Sequence, residues 1–116
     1  MASTEIRRGD VWWVTLDPTI GSELQKRRPC LVVQRDAANA NSPTTIICPL
    51  TSARNRVADI IKVSVTSSGA GLPTQSLVVC NQLRTVDRRR FGERIGSVSA
   101  DEMSAVDRGL RAILDL

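Results

Sequence analysis

Short apolar runs alternate with polar, turn-rich segments along most of this chain of 116 residues. Valine, isoleucine and leucine dominate the runs, as is typical of strands with one buried face. In the first run Trp12 and Trp13 are adjacent, so they point to opposite faces of a strand. The pattern favours a mainly β fold, either a compact antiparallel sheet or a small barrel. The predicted strands span residues 11–16, 30–34, 44–50, 60–65, 76–83 and 94–98.

The end of the chain has helical rather than alternating spacing. Ser99 and Glu102 form an S-x-x-E capping box, in which each residue satisfies the backbone N–H of the other. The box is followed by apolar residues at helical spacing, namely Met103, Val106, Leu110, Ile113 and Leu114. We therefore expect a C-terminal helix that packs this stripe on the sheet.

Three predicted loops carry most of the unusual chemistry: residues 17–29, 51–58 and 66–75. The first is long for a strand connection, and such loops are often functional. The chain has a net charge of +4, and its basic residues cluster at 26–28, at Arg54 and Arg56, at Arg84 and at 88–90. This charge is compatible with a polyanionic partner, and equally with solvated loops that keep the protein soluble.

The absence of histidine limits the possible chemistry. It excludes a Ser-His-Asp triad, a Cys-His pair and a two-histidine nuclease. The three cysteines, Cys30, Cys48 and Cys80, lie singly inside apolar runs, which predicts buried free thiols. We expect no metal site and no cofactor. The sequence has no membrane-length apolar segment and no apolar stretch near its start, so we expect a cytoplasmic protein.

RNA hydrolysis remains open to such a chain, because the 2′-hydroxyl of RNA can itself attack the adjacent phosphorus. The protein must then align the attack and neutralise charge on the phosphoryl oxygens. Arginine suits the second task, since its planar fork matches phosphate and stays charged. Arg28, at the end of the first loop, and Thr51 and Ser52, after the third strand, offer a guanidinium and hydroxyls.

Several motifs in order resemble the MazF/PemK family of toxin endoribonucleases. They are RRGDVWW, LDP, GSE and RRPCLVV in residues 7–33, PLTS at 49–52 and NQLRTVD at 81–87, followed by the helical ending. Each motif alone is weak, but their order and spacing together are specific. The resemblance covers nearly the whole chain, so residues 1–116 are interpreted as a single toxin domain.

The resemblance implies a small SH3-like antiparallel barrel with a C-terminal helix, the CcdB/MazF-like toxin fold, and a homodimer. It also implies a type II toxin that cleaves single-stranded RNA, including mRNA, at short sequence motifs and so stops translation and growth. The expected products carry a 2′,3′-cyclic phosphate and a 5′-hydroxyl. A cognate MazE-like antitoxin would cover the RNA groove with an acidic, partly disordered segment.

The resemblance also implies roles for particular residues. Arg28 matches the catalytic arginine, Thr51 is its hydroxyl partner, and Glu23 shapes the site or takes part in proton transfer. A guanidinium is a poor general base, so we interpret Arg28 as an electrostatic stabiliser and proton donor. Glu23 is then the leading carboxylate for the base, which stays unassigned. The predicted RNA-binding residues are Ser22, Ser52, Arg54, Arg56, Asn81, Gln82 and Arg84.

Two positions depart from some members of the family. Ser22 stands where some relatives have histidine, and Asn81 where some have aspartate, so a mechanism that uses those two groups cannot operate here. Two other functions stay open. One is a toxin of the same fold that poisons a protein such as DNA gyrase, and the other is a small-barrel module that binds RNA without cutting it.

Overall fold

A computed structural model describes residues 5–54, 56–66, 71–72 and 74–116 of the chain. Its seven strands are β1 (Asp10–Thr15), β2 (Arg27–Val32), β3 (Thr44–Ser52), β4 (Lys62–Val65), β5 (Ser76–Val79), β6 (Arg84–Asp87) and β7 (Phe91–Ser97). A short helix, α1 (Asp36–Asn39), follows β2, and a long one, α2 (Ala100–Leu114), ends the chain. Two 3-10 turns, Cys80–Gln82 and Arg88–Arg90, lie before and after β6.

All strand pairs of this sheet are antiparallel, in the order β4-β5-β3-β2-β1-β7. The nine-residue strand β3 pairs with β2 along one edge, and along its other edge it is long enough to pair with two strands in succession. Its first half pairs with β6, where Ile47 faces Arg84, and its end pairs with β5, where Leu50 faces Val78. The structure therefore confirms a mainly antiparallel β fold with a C-terminal helix.

Alternate residues of the central strands belong to two separate hydrophobic clusters, one on each face of the sheet. The first contains Val11, Leu31 and Leu50, and it includes Val106 of α2. The second contains Trp12, Val14, Cys30, Val32, Ile47 and Val86, with Phe91 packed against it. Because β6 and β7 both contribute to the second cluster, the strand path β7-β1-β2-β3-β6 curls around it as an open small barrel.

The two tryptophans lie on opposite faces, as predicted. Trp12 is buried and meets Phe91 edge to face, with ring centroids 5.5 Å apart. Trp13 is half-buried on the other face, where the guanidinium carbon of Arg27 lies 4.7 Å from the centre of its ring. Such an arginine over an indole face is a cation–π contact.

The C-terminal helix forms with the predicted capping box. Oγ of Ser99 accepts a hydrogen bond from the N–H of Glu102 at 3.1 Å, and Oε1 of Glu102 accepts one from the N–H of Ser99 at 2.9 Å. Val106 is fully buried, and Met103 and Leu110 pack on the first cluster. The last residues of the predicted stripe, Ile113 and Leu114, are 39% and 48% exposed because the final turn extends past the packed part of the helix.

Several strand boundaries differ from the sequence-based predictions. The strand β6 was missed, because only Val86 of its four residues is buried. The predicted fifth strand is too long, since β5 ends at Val79 and the chain turns through Cys80–Gln82. The strands β4 and β7 begin at Lys62 and Phe91 rather than at residues 60 and 94.

The start of β2 is the correction that matters most for function. The strand was predicted at residues 30–34, but it spans Arg27–Val32, because β1 pairs with its basic beginning. Arg28 faces Val14 in this pair. Arg28 therefore lies in a strand and not in a loop, and the first loop comprises residues 16–26, hereafter the β1–β2 loop.

The three cysteines are buried and unpaired, as predicted. Burial raises the pKa of the Cys30 thiol to about 12, so this sulfur stays protonated. In the described part of the chain no helix is long and apolar enough to cross a membrane.

Candidate functional site

A groove of about 370 Å³ opens between the β1–β2 loop and the segment that follows β5. We call it the loop groove. The lining residues are Ser22, Glu23, Leu24, Pro49, Asn81, Gln82, Leu83 and Arg84. Five of the predicted site residues thus meet in one place, although they come from two segments almost 60 residues apart in sequence: Ser22, Glu23, Asn81, Gln82 and Arg84.

Gln82 joins the two walls of the loop groove. Its Oε1 accepts a hydrogen bond from the N–H of Leu24 at 2.7 Å, and its Nε2 donates to the carbonyl oxygen of Ser22 at 3.4 Å. The 3-10 turn that carries Gln82 aims the amide across the groove at the loop. Both ends of the amide are used, so Gln82 links the β1–β2 loop to the opposite wall of the groove.

Glu23 is exposed at the rim of the groove and is used locally. Its Oε1 accepts a hydrogen bond from the N–H of Ile20 at 2.6 Å, while its own N–H donates to the Ile20 carbonyl at 3.2 Å. These two bonds form a closed turn that holds the carboxylate in place and leave its second oxygen available. Within the described residues, no ion pair joins Glu23 to Arg28.

Arg28 and Thr51 stand on the same face of the sheet, just beyond the last β2–β3 pair. That pair is Cys30 with Pro49, and alternate residues of a strand share a face. If the pairing of β2 with β3 continued in the same register for two more residues, Arg28 would lie opposite Thr51. Pro49, two residues before Thr51 in β3, lines the loop groove. The structure thus places the predicted guanidinium and hydroxyl beside the groove, not among its lining residues.

The two side chains are held in different ways. Arg28 is half-buried, and its Nε donates to the carbonyl oxygen of Gln25 at 2.9 Å. Thr51 is only 7% exposed and pairs with Leu77 of β5. A guanidinium tied through Nε keeps its two terminal nitrogens for a phosphate, which is the bidentate arrangement.

The site is electropositive. Burial is the main influence on the pKa of Cys30 and raises it, while the charges of Arg84 and Arg28 act in the opposite direction. Both guanidinium groups therefore act on the same point beneath the groove. Among the ion pairs of the described residues, neither arginine has a carboxylate partner. With Arg84 in its lining, Arg28 beside it and one carboxylate, that of Glu23, at its rim, the groove has a net positive charge, which favours an anionic ligand.

The remaining predicted residues lie in a second groove, of about 580 Å³, at the other side of the β3 end. It is lined by Ser52, Ala53, Arg54, Arg56, Thr74 and Gln75, and we call it the β3–β5 groove. Among the described residues, the two grooves share no lining residue. The end of β3 lies between them, because Pro49 lines one and Ser52 lines the other.

Arg90 is a further residue at this site, and no sequence motif predicted it individually. Its Nη1 donates to the carbonyl oxygens of Thr15 at 3.1 Å and Asp17 at 2.6 Å. The only signal was the basic run at 88–90, which is equally typical of a solvated face. Arg88 in the same run donates to the carbonyls of Ser42, at 2.8 Å, and Asn39.

Within the described ranges, no group of three or more histidine, cysteine or acidic residues is placed to hold a metal ion. The fold and the site together define a class: a small, curled antiparallel β protein with a C-terminal helix and an arginine-rich groove suited to a polyanion.

Sequence comparison identifies the family within that class. A model of the family described as PemK-like, MazF-like toxin of type II toxin–antitoxin system matches residues 7–114. The chain therefore belongs to the PemK/MazF toxin family. It is 36% identical over 112 residues to the endoribonuclease MazF2 of Mycobacterium bovis, which covers 96% of this chain and 98% of that protein. The endoribonuclease MazF6 of Mycobacterium tuberculosis is similar to the same extent.

Solved structures agree with this assignment. MazF from Deinococcus radiodurans superposes with a TM-score of 0.83 at 26% identity, covering 98% of this chain and 100% of that one. A mycobacterial endoribonuclease in complex with its cognate antitoxin has the same fold, with a TM-score of 0.78 at 22% identity, over 96% of each chain. The predicted family and fold are confirmed, and the relatives are endoribonucleases, which favours RNA cleavage over the two non-enzymatic alternatives.

Proposed function

We propose that this chain, as a single domain of residues 1–116, is the toxin of a type II pair and a sequence-specific endoribonuclease. It cleaves single-stranded RNA, including mRNA, in the cytoplasm, and so stops translation and growth. The observation that carries the proposal is the position of Arg28 and Thr51 on one face of the sheet, next to an electropositive groove.

The reaction is an internal transfer at phosphorus. The 2′-oxygen of the substrate forms a bond to the adjacent phosphorus, and the bond from phosphorus to the 5′-oxygen of the next nucleotide breaks. The products are a 2′,3′-cyclic phosphate and a 5′-hydroxyl. The nucleophile belongs to the RNA, so the protein needs neither a metal-bound water nor a cofactor to supply it.

Arg28 stabilises the charge that develops on the phosphoryl oxygens. Its Nε is tied to Gln25, which orients the terminal nitrogens before the substrate binds. A preorganised charge of this kind is worth more than one that must reorganise during the reaction. The hydroxyl of Thr51 donates to the same phosphate, while Ser52, on the opposite face of β3, contacts the RNA in the β3–β5 groove. Arg28 also donates the proton taken up by the leaving 5′-oxygen.

Glu23 takes the proton of the attacking 2′-hydroxyl. Among the eight described residues that line the loop groove, it alone carries a carboxylate. The turn with Ile20 leaves one oxygen of that carboxylate available. Replacement by glutamine should lower the rate of cleavage, since glutamine cannot accept the proton of the 2′-hydroxyl.

The RNA lies along the end of β3 and contacts both grooves. Ser22, Asn81, Gln82 and Arg84 contact it in the loop groove, and Ser52, Arg54 and Arg56 contact it in the β3–β5 groove. Groove residues that face bases supply the sequence preference, whereas the arginines supply affinity that falls with salt.

The protein works as a homodimer and is held inactive by a cognate MazE-like antitoxin. An acidic antitoxin segment complements the +4 charge of the chain and competes with RNA for the same arginines. Such a segment is disordered alone and orders on the toxin surface.

The test compares two adjacent arginines of β2. Arg28→Ala should lower the rate of RNA cleavage by roughly a hundredfold or more, as for the loss of one preorganised donor. Arg27→Ala is the matched control, because Arg27 is exposed and lies over Trp13 on the other face. Equal activity of the Arg28 variant and wild type, with both folded, would contradict the site assignment.

A further inference from the structure

Three consecutive carbonyl groups lie where β1 ends and the β1–β2 loop begins, and each of them accepts a hydrogen bond from an arginine of the distant segment 84–90. Nη1 of Arg84 donates to the Leu16 carbonyl at 3.2 Å. Nη1 of Arg90 donates to the carbonyls on either side of it, those of Thr15 at 3.1 Å and Asp17 at 2.6 Å. Hydrogen bonds from a charged donor are stronger than neutral ones, so the point where the chain leaves β1 is firmly held.

Residues at the start of the loop also bind its last residue, Lys26, where the chain returns to the sheet. The N–H of Leu16 donates to the Lys26 carbonyl at 2.9 Å, and Oδ1 of Asp17 accepts from the N–H of Lys26 at 3.0 Å. Lys26 has φ of 69°, a left-handed conformation that a non-glycine residue adopts only when its surroundings impose it. Arg28 follows two residues later, so its backbone is positioned through Lys26.

We propose that Arg90 is a positioning residue for the nuclease site: through Thr15 and Asp17 it holds the two ends of the β1–β2 loop together and thereby aligns Arg28. This inference rests on the proposed function. The chain of contacts runs from Arg90 to Asp17, from Asp17 to Lys26, and from Lys26 along the strand to Arg28. Arg90 is therefore expected to affect the chemical step without contacting the RNA.

Arg89 provides a matched control one residue away. It carries the same charge, its side chain is 89% exposed, and its Nε pairs with Asp87 at 3.0 Å rather than with the loop. Arg89→Ala and Arg90→Ala therefore make the same change in net charge, but only the second removes the hydrogen bonds to the carbonyls of Thr15 and Asp17. Arg90→Lys keeps a charged donor in place.

The experiment has two readouts. The first is amide hydrogen exchange of the free protein, where Arg90→Ala should speed exchange at Leu16 and Lys26, with Arg89→Ala unchanged from wild type. The second is RNA cleavage at several salt concentrations. Arg90→Ala should lower kcat about tenfold to a hundredfold, as for a small misplacement of a catalytic group. KM and its salt dependence should stay as in wild type, and Arg90→Lys should recover part of kcat.

The outcomes separate this inference from the proposed function. Unchanged exchange in Arg90→Ala would overturn the inference, whatever the activity. A higher KM with unchanged kcat, and a salt slope smaller by about one, would instead identify Arg90 as a phosphate contact. Faster loop exchange in Arg90→Ala, together with no RNA cleavage by the wild-type protein, would show that Arg90 holds the loop but would overturn its role in a nuclease and refute the proposed function itself.

Discussion

Gly109 of α2 packs directly against Cys80. A Cβ at position 109 would lie 2.8 Å from Sγ of Cys80 and 2.6 Å from the carbonyl oxygen of Ile60, closer than real Cβ contacts allow. The helix therefore reaches its place only because residue 109 has no side chain. Cys80 begins the 3-10 turn that continues through Asn81 and Gln82, so the helix contact supports a wall of the loop groove.

Gly109→Ala should destabilise the protein. Overpacking of a tight contact costs roughly 1–3 kcal/mol, and the upper part of this range applies because the nearest atom is a backbone oxygen. This cost exceeds the roughly 1 kcal/mol that alanine gains in helix propensity. For a domain of about this size, each kcal/mol lowers Tm by roughly 4–8 °C. Thermal unfolding checks this, with Ser104→Ala on the exposed side of the same helix as the control. A Tm equal to or above that of wild type would contradict the packing account.

Thr51 offers a test of the hydroxyl in the proposed site. Thr51→Val removes the hydroxyl and keeps the shape of this nearly buried side chain, whereas Thr51→Ser keeps the hydroxyl. Valine should lower kcat by roughly a hundredfold, the usual cost of one lost donor to a developing charge, and serine should retain most of the activity. Circular dichroism of both variants checks the fold. If valine and serine reduce kcat equally, the hydroxyl has no catalytic role.

Glu102 should make the stability of the protein depend on pH in acid. Burial raises the pKa of its carboxyl, but hydrogen bonds from Ser99 and Thr66 outweigh this and bring the pKa below its ordinary value of 4.5. A lowered pKa in the folded state gives stability that is present above the ordinary pKa and is lost as the pH falls through the folded value. The free energy of unfolding should therefore decrease below about pH 4.5.

Glu102→Gln should flatten this decrease, because glutamine keeps an acceptor for the cap but does not titrate. Urea unfolding between neutral and acid pH measures the slope, and Asp101→Asn, on the same first turn, is the control. A slope in Glu102→Gln as steep as that of wild type would assign the acid sensitivity to other carboxylates. Asp36 and Asp87 are the leading ones, since hydrogen bonds lower the pKa of both.

Features that depend on neighbouring residues could be predicted from the sequence. The capping box needs only Ser99 and Glu102, and the opposite faces of Trp12 and Trp13 follow from strand geometry alone. The motif around Arg28 predicted the family in the same way, because its residues are adjacent in the chain.

Features that depend on contacts between residues far apart in the chain could not be predicted from the sequence. The amide of Gln82 reaches Leu24 across 58 positions of sequence, and no local pattern encodes that pairing. Val86 is the one buried residue of β6, and this strand forms because it pairs with the edge of β3. Arg28 was assigned to a loop for the same reason, since its strand is defined by the pairing with β1. The groove is therefore a product of tertiary structure.

The most direct test of the account is cleavage of one RNA in two chemical forms. A single-stranded RNA that contains a cleavage site would be incubated with the protein in excess EDTA, beside the same RNA with a single 2′-deoxy nucleotide 5′ of the scissile phosphate. We expect the all-ribose strand alone to be cut, with a 2′,3′-cyclic phosphate and a 5′-hydroxyl as the new ends. Cleavage of the deoxy-substituted strand at the same position, or no cleavage of either strand by folded protein, would contradict attack by the 2′-hydroxyl.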